Sequence, residues 1–188
     1  MSSEPDASPS LLTRPLRRVR QIREFTSAPL TGAELDAIAD AARWTGSSRN
    51  VQPWRFLVIR EAATLRSLAS IGHPQTRPFE TAPTGIAVVL TAEEINAAWA
   101  AYDEGRAVER ILVAATLLGL GAGITWIRRH VHAAVAELLG LPDDRRVRTI
   151  VALGHPTEAA LLPKSPPGTA RLPRSETVLE GRWPADRR

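Results

Sequence analysis

Four stretches of this chain carry side chains that could do chemistry. Arg17, Arg18, Arg20 and Arg23 put four guanidinium groups within seven residues, a density that must be solvated or must face an anion. Ser47, Ser48, Asn50 and Gln52 form a run of small polar groups directly ahead of Pro53 and Trp54, able to donate to and accept from a polar ring edge. Gly121 and Gly123 open a segment running to Trp126 whose backbone another group can approach closely. Lys164 and Arg171 supply cations from the far end of the chain. These residue types favour binding an anionic, hydrogen-bonding molecule over nucleophilic or metal chemistry.

Several other patterns fail on spacing. Gly119, Gly121 and Gly123 do not make a dinucleotide fingerprint, because the third glycine comes one position early and the order is helix then strand. His130 and His132 are two apart and would not share a helix face, so a metal is not expected. Gly46-Ser47-Ser48 is not a nucleophile elbow. Asp103 and Glu104, beside Arg106 and Glu109, read as a helix-face charge pair or a subunit contact rather than an acid/base dyad.

Composition narrows the classes further. A chain of 188 residues with 44% hydrophobic and 23% charged content suits one domain with a sizeable core. The absence of Cys removes disulfide scaffolds, iron–sulfur ligation and thiol catalysis. The first ten residues carry acids and prolines where a signal peptide needs basic and then apolar stretches, so a cytoplasmic protein is expected. Residues 111–127 are uncharged but broken by glycines, and read as a buried helix entering a buried strand, with no membrane span. The net charge of +4 is concentrated at the ends: residues 1–25 hold five Arg against three acids, and residues 160–188 hold six basic groups against three acids. An anion held where the two ends meet is the sharper reading of that asymmetry, and two solvated tails the plainer one.

The elements that would position these groups alternate between helix and strand. Residues 1–12 read as a disordered tail, 13–156 as the folded domain and 157–188 as an extended, proline-rich arm that packs on a second subunit. Thr31-Gly-Ala-Glu34 is a capping box that opens a helix with Leu35, Ile38 and Ala42 on its apolar face. Strands are expected at 54–59, 84–90, 122–127 and 147–153, with the second buried on both faces. A short helix fills 62–71, another fills 131–139, and one long helix covers 92–118, its second half apolar all round. Helices and strands alternate, so the class is α/β or α+β.

With these residues in place, the chain resembles the nitroreductase family of FMN-dependent oxidoreductases. Ala42-Arg43-Trp44-Thr-Gly-Ser47-Ser48-Arg-Asn50-Val-Gln52-Pro53-Trp54 looks like the family's serine- and asparagine-bearing signature. Arg20-Gln-Ile-Arg23-Glu-Phe25 looks like its N-terminal basic element, Leu118-Gly-Leu-Gly121 like the turn after its central helix, and Arg171-Leu-Pro173 like its C-terminal basic element. The likeness runs in order over residues 17–178. It implies an α+β fold, an α/β sandwich with a central mixed sheet flanked by helices, and a homodimer with FMN at the subunit interface and NAD(P)H as reductant. It further implies that Arg18 or Arg20, with Arg23, Lys164 and Arg171, hold the phosphate. Ser47, Ser48 and Asn50 would reach the flavin from the partner, and the backbone of Ile124, Thr125 and Trp126 would line its ring.

The sequence departs from the family's pattern at Gln21, where Ser is common, at Val19, where Arg is common, and at Gly46, where Pro is usual. The insertion that often shapes the substrate pocket, ahead of the long helix, is nearly absent, which implies an open site. The expected reaction takes hydride from NAD(P)H through flavin to a nitroaromatic, quinone or similar small-molecule acceptor. Alternatives on the same fold are an oxidase, dehalogenase or flavin-destroying enzyme, or a protein that binds flavin without turnover. Nucleic-acid binding by the arginine-rich ends has little support, since aromatics are 5% and no modular motif is present.

Overall fold

The computed structural model describes residues 8–166, 168–169 and 171–183. In chain order the helices are α1 (Pro9–Leu12), α2 (Arg14–Arg18), α3 (Gly32–Arg43), α4 (Ala62–Ile71), α5 (Ala98–Leu117), α6 (His132–Leu138), α7 (Glu158–Leu161) and α8 (Arg174–Thr177). The strands are β1 (Arg55–Ile59), β2 (Thr84–Thr91), β3 (Gly121–Trp126) and β4 (Arg145–Gly154).

Strand order is β1-β2-β4-β3, and every neighbouring pair is antiparallel. The sheet alternates as period-2 geometry requires. Ile86, Val88 and Leu90 of β2, with Val151 and Leu153 of β4, face a core shared with α3 and α5. Ala87 and Val89, with Ile150 and Ala152, face the opposite core beneath α4 and α6. Seven of the eight residues of β2 are buried, which is the two-faced burial its unbroken apolar run predicts. The result is the expected α+β sandwich.

Three details differ from the reading of the sequence. The sheet is not mixed: among the described residues parallel pairing is confined to one isolated bridge, between Gln21 and Ala122. The long helix does not begin at residue 92. Thr91 accepts from the Glu94 amide at 3.0 Å and donates to its carboxylate at 2.7 Å, closing a separate turn at Glu94–Asn96 before α5 starts. The end of α5 is not enclosed: Leu117 is 64% exposed. Of the tail expected over 1–12, residues 1–7 lie outside the described residues, and Pro9–Leu12 is one helical turn. Among the described residues beyond Pro156, the arm forms only the four-residue helices α7 and α8, with turns, bends and irregular backbone between them.

Candidate functional site

The site begins where the N-terminal cations meet the edge of the sheet. After α2 the chain runs extended along the outer side of β3. The Ile22 amide donates to the Ala122 carbonyl at 2.9 Å, and the Ile124 amide donates to the side-chain oxygen of Gln21 at 2.7 Å. At the other end the Thr26 amide donates to the His155 carbonyl at 2.8 Å. The glycines of β3 make this contact possible. A Cβ on Gly123 would sit 2.1 Å from the Ile22 carbonyl oxygen, and one on Gly121 would sit 2.8 Å from the Ile22 side chain. The close approach legible in the glycine spacing is therefore made by the chain itself.

This zipper sets what β3 can offer. Ile124 is half-buried and its amide is taken by Gln21. The Thr125 hydroxyl is buried and donates to the Ile150 carbonyl at 2.6 Å, so it points into the sheet. Trp126 is 53% exposed. Ala122 and Ile124 make their outward bonds on the side away from β4, and by the alternation of an antiparallel edge the backbone of Trp126 faces the same way.

The cations gather at the same end of the fold. Arg20 donates to the Leu161 carbonyl at 2.5 Å, tying the N-terminal segment to the start of the arm. Arg18, Arg20, Lys164 and Arg171 all line one cavity of about 620 Å³, with Gln21 at its wall. No carboxylate is among its described lining residues, so every charged group that lines it is a cation. A neighbouring cavity of about 700 Å³ shares Arg18 and Arg20 and has an apolar wall of Leu117, Leu120 and Leu161. Arg23 is exposed and lies beside Gly123, outside both cavities.

The polar loop lies elsewhere. It follows α3 and turns at Ser48–Asn50, with Arg49, Asn50 and Gln52 at φ of 51°, 57° and 51°. Left-handed backbone costs a non-glycine residue about 1–2 kcal/mol, least for Asn. The loop braces this conformation internally: Ser47 Oγ accepts from the Gln52 amide at 2.8 Å, and the Gln52 side-chain amide donates to Asn50 Oδ1 at 3.1 Å. Pro53 and Trp54 then anchor it in the core. The Ser48 amide donates to Asp103 Oδ2 at 2.9 Å, which places the loop beside the first turns of α5. The apolar cavity by Arg18 and Arg20 reaches Leu117 at the other end of that helix, about 20 Å away at 1.5 Å per residue. One chain thus brings together Arg18, Arg20, Lys164 and Arg171, but not these four with Ser47, Ser48 and Asn50.

Between β3 and α5 runs a narrow, largely apolar groove of about 240 Å³, lined by Gly105, Val108, Ile124, Trp126 and Arg148 among others. Arg148 is fixed there: it donates to Glu104 from Nε at 2.8 Å and again from a terminal nitrogen, and to the Ile95 carbonyl at 2.8 Å. Its guanidinium lies 5.8 Å from the centre of the Trp126 ring. The reading of Asp103 and Glu104 as a helix-face charge pair holds for Asp103 with Arg106 but not for its exposure. Both are buried, 4% and 2% exposed; Glu104 pairs with Arg148, and Asp103 takes the Ser48 amide with Arg106 at 3.6 Å. Their spacing carried the signal: Asp103, Ala107 and Ile111 form one buried stripe at four-residue intervals, Glu104, Val108 and Leu112 the next. Gln21 and Arg148 had no such signal, since their partners are distant in sequence. His130 is exposed, His132 Nε2 lies 3.0 Å from the Ile127 carbonyl, and no metal-holding cluster occurs among the described residues.

Comparison with known proteins bears on this arrangement. The model of the family described as "Nitroreductase family" matches residues 16–155. An Archaeoglobus fulgidus protein, named provisionally as an NADH dehydrogenase/NAD(P)H nitroreductase, is 30% identical over 148 residues, covering 74% of this chain and 82% of its own. The NADPH-flavin oxidoreductase of Vibrio harveyi is 27% identical over 177 residues, covering 87% and 71%. Among solved structures, a Desulfovibrio desulfuricans protein described provisionally as a nitroreductase, in complex with FMN, is 29% identical, with a TM-score of 0.76 over 95% of this chain and 100% of that one.

Proposed function

The chain belongs to the nitroreductase family of oxidoreductases, and from that premise we propose that it is an FMN-dependent enzyme using NAD(P)H to reduce a nitroaromatic, quinone or similar small acceptor. The observation that carries this reading is the convergence of Arg18, Arg20, Lys164 and Arg171 on one carboxylate-free cavity beside the edge of β3. A phosphate monoester with two negative charges suits such a cavity, and guanidinium groups grip its oxygens bidentately. The outward backbone of Trp126 and the apolar groove behind it suit a flat ring with polar edges. FMN, when bound, would supply the hydride acceptor and donor that no side chain here provides.

The chain's own groups have separate tasks in this reading. The arginines and Lys164 neutralise the phosphate, while Arg23 beside Gly123 adds positive field. Ile124, Thr125 and Trp126 contribute backbone and shape; the Thr125 hydroxyl contributes no contact, because it is spent on Ile150. Ser47, Ser48 and Asn50 act across a homodimer interface, which is consistent with their distance from the cations of their own chain. The short link from Thr91 to α5 leaves the site open to bulky acceptors. Among the described residues no helix is long and apolar enough to cross a membrane.

The test is spectroscopic. Purified protein should carry flavin absorption. NADH or NADPH should bleach it anaerobically, and a nitroaromatic or quinone should restore it. Failure of both nicotinamides to bleach flavin-loaded protein would overturn the oxidoreductase assignment in this form.

A further inference from the structure

We propose that Asp103, inside the central helix, is the positioning residue of the polar loop: its buried carboxylate holds the Ser47–Gln52 turn in place by taking the Ser48 amide. That the loop thereby presents Ser47 and Asn50 to a flavin rests on the function proposed above.

The loop's internal bonds fix its shape but not its location. Ser47 to Gln52 and Gln52 to Asn50 both close within six residues. Outside the loop, the Gln52 carbonyl meets only the neighbouring Arg55 guanidinium, at 3.3 Å. The bond from Ser48 to Asp103 instead crosses 55 residues and ties the turn to α5. It also falls just ahead of the left-handed residues Arg49 and Asn50, a conformation that persists only when its surroundings over-determine it.

Asp103 is an expensive residue for this position. It lies on the buried stripe of α5 with Ala107 and Ile111, where an apolar side chain would avoid desolvating a charge. Its compensation is the Ser48 amide and Arg106, whose guanidinium stands 3.6 Å from Oδ1 and is half exposed. Arg106 also flanks the start of the loop, 2.9 Å from where a Cβ on Gly46 would be. The carboxylate and the arginine thus clasp the loop from its buried and its exposed sides. A buried acceptor that serves a distant strained turn explains why a charge stands in the core of a helix.

The experiment measures amide exchange and FMN titration on the full chain, wild type beside Asp103→Ala and Asp103→Asn. Loss of a hydrogen bond to a charged group should speed exchange of the Ser48 amide about tenfold in Asp103→Ala, with the amides of β2 and β4 unchanged. FMN affinity should fall by a similar factor. Asn keeps an acceptor oxygen at the same place and should restore most of both, which a loss of packing alone would not reproduce. Unchanged Ser48 exchange in Asp103→Ala would overturn the proposal, as would a loosened loop with wild-type FMN affinity. If wild-type protein takes up no FMN, the oxidoreductase reading fails separately, and Ser48 exchange still decides whether Asp103 holds the loop.

Discussion

At the scale of single residues, the backbone decides which substitutions are informative. Asn50 sits at φ 57°, so Asn50→Ala would strain the turn as well as remove an amide. Asn50→Gly keeps the conformation and removes only the side chain; it should weaken FMN severalfold with little change in melting temperature, measured by titration and calorimetry. Arg171 makes a contact of its own and lines the cation cavity. Arg171→Ala should weaken FMN about ten- to a hundredfold, the worth of one charge-assisted hydrogen bond. Riboflavin, which lacks the phosphate, should bind both proteins almost equally. Equal FMN affinity would remove Arg171 from the site. Gly123→Ala differs in kind, because its Cβ would meet a carbonyl oxygen that cannot rotate away. It should cost about 2 kcal/mol or more and displace Arg20 with Ile22, so that stability and FMN affinity fall together.

At the scale of elements, the sequence was most readable where local chemistry settles structure. The capping box is formed as read: Thr31 Oγ1 accepts from the Glu34 amide at 3.2 Å, and the Glu34 carboxylate accepts from the Thr31 amide at 2.7 Å. Thr31→Ala should cost about 1 kcal/mol, a fall of a few degrees in melting temperature. Hydrogen bonds from the Thr31 amide, and then from its hydroxyl, hold the Glu34 carboxyl below the usual carboxylate range. A depressed value contributes stability above the unfolded value of about 4.3 and loses it as pH falls through the folded one. Glu34→Gln should therefore flatten the acid limb of a stability–pH curve, with no change near neutrality in that contribution's slope. Readability failed where partners are far apart. Nothing near Asp103 announces Ser48, and nothing near Gln21 announces the edge of β3. The turn before α5 was hidden because Thr91, which closes it, lies just ahead of a helical pattern read from residue 92, and the break at Ala97 carries no residue that breaks a helix.

At the scale of the whole molecule, the apolar surface argues for a second subunit. Trp44, Trp99, Tyr102 and Leu117 are 71%, 41%, 79% and 64% exposed, the last three along α5. The protein should run as a homodimer in light scattering. Tyr102→Glu should shift it toward monomer and release flavin at the same time; a flavin-loaded monomer would refute the shared site. The alternation of helices with four strands and the meeting of the two basic ends were legible from periodicity and charge counting, and the choice of an α+β sandwich came from the family resemblance. The division of the nominated residues into two groups about 20 Å apart was not, because no local pattern records which end of a helix a distant loop will meet.

The zipper along β3 also sets an order of events during synthesis. Gln21 and the Ile124 amide it binds are separated by 103 positions, and Arg20 and Leu161 by 141. The arginine segment leaves the ribosome long before its seat exists, and closing so large a loop must await a formed sheet. A chain halted anywhere before β3 has its first cations and nowhere to lay them. On the function proposed above, the phosphate pocket would be assembled from segments translated far apart, and the cofactor would act as a proofreader: only a chain that already carries β3 and the arm could keep it.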